Sequence, residues 1–147
     1  MFHEVVSDVS TDDGGSAVDA AALLSAFEAV LAEAVEEASV ERVVETTPLD
    51  REHVVSVAAG DAADLTIEEG AAVLATTREM DADAVVFELR DHLLMGMTIA
   101  VLDVDTIAGA IDADLTGQEV QQALEGRAAM TLAQLAEVMA VIEGRKR

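Results

Sequence analysis

Cysteine is missing from this chain, so neither a disulfide nor a thiolate metal site can hold it together. Tryptophan and tyrosine are missing too, and three phenylalanines are the only aromatic residues. Any core must therefore be built from Ala, Val, Leu, Ile and Met, which the 52% hydrophobic content amply supplies. The single proline, Pro48, leaves long stretches free to run as helix. No uncharged apolar run approaches the roughly 18 residues of a membrane span. The N-terminus, MFHEVVSDVSTDDGG, has no basic-then-apolar signal pattern. These absences predict a cytoplasmic protein of one domain, or two very small ones, with no membrane partner.

Basic residues are equally scarce. Eight Lys+Arg face 30 Asp+Glu, for a net charge of −22 across 147 residues. The imbalance is uneven. From Leu115 to Arg147 four acids (Glu119, Glu125, Glu137, Glu143) match four bases (Arg127, Arg145, Lys146, Arg147). All the net charge therefore lies before Leu115. Acids dispersed among apolar residues at helical spacing point to a folded, acid-coated surface rather than a disordered acidic tail. With its Lys depletion and Asp, Glu, Ala and Val enrichment, the chain resembles cytosolic proteins of salt-in halophilic archaea. In molar salt the Debye length is about 3 Å, which screens the self-repulsion that dilute buffer would leave in force.

Residues 1–16 carry Asp-Asp-Gly-Gly-Ser turn chemistry and predict a mobile arm. From Ala17 to Ser39, apolar residues at 3–4 spacing (Leu23, Phe27, Leu31, Val35) predict an amphipathic helix. A short helix over Val40–Glu45 is followed by the Pro48 break. Asp50 caps the next helix, which Gly60 stops. Thr66-Ile-Glu-Glu69 is a capping box opening a helix to about Ala75. Asp81 caps the longest helix, to Leu102, apolar on nearly every face and so expected at the centre. Asp103 or Asp105 caps a short helix. Thr116-Gly-Gln-Glu119 and Thr131-Leu-Ala-Gln134 are two further capping boxes, with stops at Gly126 and near Gly144. No segment reads as a strand. The predicted fold class is all-α.

The order of elements repeats. Leu49, Val54, Gly60, Thr66, Ala71 and Val73 match Leu115, Val120, Gly126, Thr131, Ala136 and Val138, with one extra residue in the first loop. The chain reads as two tandem helix-turn-helix-like units, residues 17–79 and 80–147, around the long apolar helix.

The segment TIAGAIDADLTGQEVQQALEGRAAMTLAQLAEVMAVIEG resembles the lambda-repressor/Cro-like helix-turn-helix superfamily. That likeness rests on a short helix, a tight turn, a second helix with a Gly-type stop and a Thr-capped third. VERVVETTPLDREHVVSVAAGDAADLTIEEGAAVLA is a looser copy. RDHLLMGMTIAVLDVDTIA and LTGQEVQQALEGR make most of residues 40–145 similar to an uncharacterised family of short haloarchaeal proteins, which implies no activity.

If the resemblance extends to function, the helix from Gly117 to about Glu125 would read double-stranded DNA. Gln118, Gln121 and Gln122 would face the bases, and Arg127 a guanine or phosphate. Arg145, Lys146 and Arg147 would hold the backbone. Asp112 and Asp114 in the preceding turn oppose phosphate approach. The first unit, with Arg51, Glu52, His53 and Ser56, and Asp61 in the place of Arg127, reads as structural or as a partner surface. Two functions follow from the sequence. One is a homodimeric DNA-binding transcriptional regulator. The other is a protein-interaction or assembly module on a degenerate helix-turn-helix fold. The chain carries no nucleophile elbow, phosphate-binding Gly loop or HExxH motif, so neither an enzyme nor a cofactor or metal site is expected. Glu88 and His92, at i,i+4, have the spacing to pair or to hold a metal, but a satisfied structural network or a solvent-facing stripe is the stronger expectation, and Met95 and Met97 beside Gly96 are expected to fill core space.

Overall fold

A computed structural model describes residues 19–77, 81–112 and 114–145. These residues form an all-α fold of eight helices. They are α1 (Ala20–Ala38), α2 (Val40–Thr46), α3 (Arg51–Ala58), α4 (Ile67–Ala75), α5 (Ala82–Ala100), α6 (Val104–Ala110), α7 (Gly117–Leu124) and α8 (Leu132–Arg145). The expected N-terminal arm, Lys146 and Arg147 lie outside the described residues.

Local chemistry sets most boundaries. Asp19, Asp50, Asp81 and Asp103 each accept a backbone N–H of the first turn they cap. Asp103, not Asp105, begins α6, accepting from Thr106 N at 2.8 Å. All three Thr boxes close in both directions. Thr66 pairs with Glu69, Thr116 with Glu119 and Thr131 with Gln134, over 3.0–3.2 Å. Gly60 (φ +92°) and Gly126 (φ +79°) turn the chain out of α3 and α7 in the left-handed region that glycine tolerates.

Packing then joins the ends of the chain. α1 buries Leu23, Phe27, Leu31, Ala34 and Val35 along one side. That side rests on α8, α3 and α4. α8 in turn buries Leu132, Leu135, Ala136, Val138, Met139 and Ile142. One cluster of buried side chains runs through the first and second halves alike. Phe27 is its only aromatic member among the described residues.

Two of the positions matched in the sequence also meet in space. The α3–α4 and α7–α8 loops meet in an isolated antiparallel bridge between those positions, Thr66 and Thr131. Ile67 N donates to Met130 O at 3.0 Å, and Leu132 N to Leu65 O at 2.8 Å. The two capped helices, α4 and α8, therefore start side by side, tied through backbone groups that would otherwise be unsatisfied.

α5 departs from expectation. It does not lie buried on every face. It packs on α4 and α8 through Val85, Val86, Leu89, Leu93 and Gly96. Its other side faces solvent. Met95 is exposed rather than filling the core, while Met97 packs against it. At its end the chain bends by 92° into α6. Val101, at φ +55°, makes the corner in the left-handed region. No single helix among the described residues is long and apolar enough to cross a membrane.

Candidate functional site

Among the expected contact residues, α7 brings three glutamines together. Its boundary is set by the Thr116 box and by a close approach at Gly117. A Cβ there would fall on the Asp105 carboxylate and 3.3 Å from the Asp105 Cα. The absence of a side chain lets α6 and α7 cross closely. Val120 and Leu124 are buried, which turns Gln118 and Gln121 outward and leaves Gln122 half-buried.

The charged groups on this face are engaged with each other. Gln121 Nε2 donates to Glu125 Oε1 at 2.6 Å, and Arg127 forms an ion pair with the same carboxylate. The Gln121 hydrogen bond, and then the Arg127 charge, hold the Glu125 carboxyl below its ordinary range. Arg127 thus meets a carboxylate two residues away. At the other end of α7 lie Asp112, whose backbone N–H donates to Glu137 at 2.9 Å, and exposed Asp114 and Glu119. Arg145 is exposed in the last turn of α8, where a cation suits the helix dipole. Lys146 and Arg147 fall outside the described residues.

At the start of α3, Arg51 pairs with Glu41 at 3.1 Å. His53 Nδ1 lies 2.7 Å from Asp50. That contact raises the imidazole pKa, while the carboxyl, bonded to His53 backbone and ring, is lowered. His92 does not pair with Glu88 as the i,i+4 spacing suggested. It is half-buried, with Nε2 3.9 Å from Glu143 of α8. Among the described residues no three His, Asp or Glu side chains stand close enough to hold a metal ion.

The surface that sequence reasoning missed is the outer side of α5. Phe87 is 67% exposed, Leu94 47%, Met95 59%, Ile99 56% and Val101 89%. Beside them a groove of about 390 Å³ opens between α5 and α7, lined by Phe87, Arg90, Asp91, Leu94 and Leu124. Arg90 also reaches past the groove to Gly126, where a Cβ would fall on its guanidinium. Gly126 therefore serves twice, as a left-handed stop and as the seat of Arg90. Gly60, its counterpart, has nothing within 4 Å of a built Cβ.

This asymmetry is testable. Gly60→Ala should cost about 1 kcal/mol, the left-handed penalty alone. Gly126→Ala should cost slightly more, about 1.5 kcal/mol, because the flexible end of Arg90 must also shift. Urea unfolding in an Arg90→Ala background checks the cause. There the two glycine substitutions should converge, and a persisting gap would exclude Arg90 as its source.

A family model described as "Family of unknown function (DUF5791)" matches residues 23–145. The chain belongs to that family. The DUF5791 match takes in all but the first three residues of α1 and every later helix, including the paired loops and the open side of α5. No curated protein and no solved structure matches the chain.

Proposed function

We propose that this DUF5791 protein is a non-catalytic interaction module that docks a protein partner through the outer side of α5. One observation carries the reading. In a chain of net charge −22, the ten residues Leu93–Leu102 hold no charge at all, and four of them are large apolar side chains left in solvent. Contiguous exposed apolar surface on an otherwise polar protein marks an interaction site. The tandem helix-turn-helix-like units serve as its scaffold. The acid coat suits a cytoplasm of concentrated salt.

DNA reading by α7 is the second possibility, favoured by the exposed Gln118 and Gln121. Weighing against it, Arg127 is already paired with Glu125, and acids surround the helix. Molar salt would also remove most of the counterion-release contribution.

Photo-crosslinking separates the two. A benzophenone side chain is placed at Met95 in one full-length protein and at Gln118 in another, and both are irradiated in the native host. Protein adducts from position 95 alone are expected. DNA adducts from position 118, with none from 95, would replace this reading with the other. No adduct from position 95 would overturn it.

A further inference from the structure

We infer that α5 is a self-association helix, and that two copies of this chain pair antiparallel along its outer side. The inference rests on the interaction-module reading and names its partner. The pattern is specific. Ala84, Phe87, Asp91, Leu94 and Thr98 of α5, with Val101 at its C-cap, follow one another at spacings of three, four, three, four and three, and all six are exposed. That is a heptad seam, the repeat by which helices pair side by side. It extends about 26 Å at 1.5 Å per residue, with Met95 and Ile99 widening it on one flank.

Charge selects both partner and direction. Most of this chain's helical surface carries carboxylates, so other self-contacts would bring like charges together. The α5 seam has one carboxylate, Asp91. Parallel pairing would set Asp91 against its own copy in one layer. Antiparallel pairing about the middle of the seam sets Asp91 against Leu94. It also sets Phe87 against Thr98 and Ala84 against Val101, large opposite small in each layer. The groove between Phe87, Arg90 and Leu124 leaves room at the flank for the second copy's side chains.

Val101 adds an independent argument. A β-branched residue is strongly disfavoured in the left-handed region, yet Val101 adopts it with its side chain 89% exposed. Within one chain that conformation only closes the C-cap of α5, Val101 and Leu102 N–H donating to the Thr98 and Met97 carbonyls, a task glycine performs with less strain. In the pair it becomes the end layer of the seam, where strain held at a docking surface has a use.

Sedimentation equilibrium on the full chain in about 2 M KCl, where repulsion is screened, reads the result directly. The wild type should sediment at twice the mass of one chain, and Leu94→Glu at the mass of one, with unchanged helical circular dichroism. Should Leu94→Glu unfold, Thr98→Arg loads the same seam at an already polar position and should likewise give the single-chain mass. Asp91→Leu should tighten the pair about ten-fold or more by removing the one charged layer.

Because the chain has no cysteine, a single protein carrying Ala84→Cys and Val101→Cys reports direction. After oxidation and trypsin cleavage at Arg90, peptides linking position 84 to 101 are expected. Links of 84 to 84 would overturn the antiparallel arrangement. A wild type of single-chain mass, or a seam variant that keeps the doubled mass, would overturn self-association. In that case the Met95 crosslinks show whether another protein occupies the face or whether the interaction reading fails with it.

Discussion

Phe27→Ala is expected to cost about 3–5 kcal/mol of folding stability, the range for deleting a buried aromatic ring. Phe27 is fully buried on α1 and, among the described residues, is the one aromatic ring in the core. α1 packs on α3, α4 and α8, so the hole cannot close without moving helices. A domain of this size has about 5–15 kcal/mol in total, so the loss threatens the fold outright. Phe87→Ala is the matched control. The same chemistry at an exposed position of α5 should change stability by less than about 0.5 kcal/mol. Guanidinium unfolding of both variants beside the wild type measures the contrast. Equal losses would mean that the packing described around Phe27 is wrong.

The second large effect is salt. Between about 0.1 M and 1 M KCl the Debye length falls from about 10 Å to about 3 Å, and most repulsion within the acid coat disappears. Stability should rise by about 3 kcal/mol, equivalent to a melting temperature higher by about 10 °C. The acids of α1 offer a way to separate charge screening from salting-out. Glu33, Glu36 and Glu37 are all exposed on one helix. Replacing them together with Gln should stabilise the protein at low salt and flatten its salt dependence. A triple variant with an unchanged slope would assign the salt effect to hydration instead.

Much of the fold was legible because its signals are local. The side chains of Asp50, Thr66, Thr116 and Thr131 each reach a backbone N–H three residues on, so residue type and spacing alone locate the helix start. Gly60 and Gly126 act through their own φ. The Thr66–Thr131 bridge depends on two loops meeting from opposite halves, which no local pattern encodes, although the matched residues of the repeat pointed to both partners.

α5 hid its open side for a different reason. Leu89 and Leu93 face the core while Leu94 and Ile99 face solvent. With apolar residues on both sides, periodicity cannot tell a buried face from a docking face. On α7 the outward direction of Gln118 and Gln121 was readable. The pairing of Arg127 with Glu125 was not, because it depends on a side chain folding back past the Gly126 turn.

The pairing of α1 with α8 also bears on how the protein is made. The first described helix leaves the ribosome with its apolar stripe uncovered, and its main partner, α8, emerges only much later. Roughly 90 residues separate them, which at about 5–20 residues per second is a wait of roughly 5–20 s. Throughout that interval Leu23, Phe27 and Leu31 depend on α3 and α4 for partial shelter. The carboxylates that burden the finished molecule in dilute buffer would meanwhile keep one nascent chain from sticking to the next.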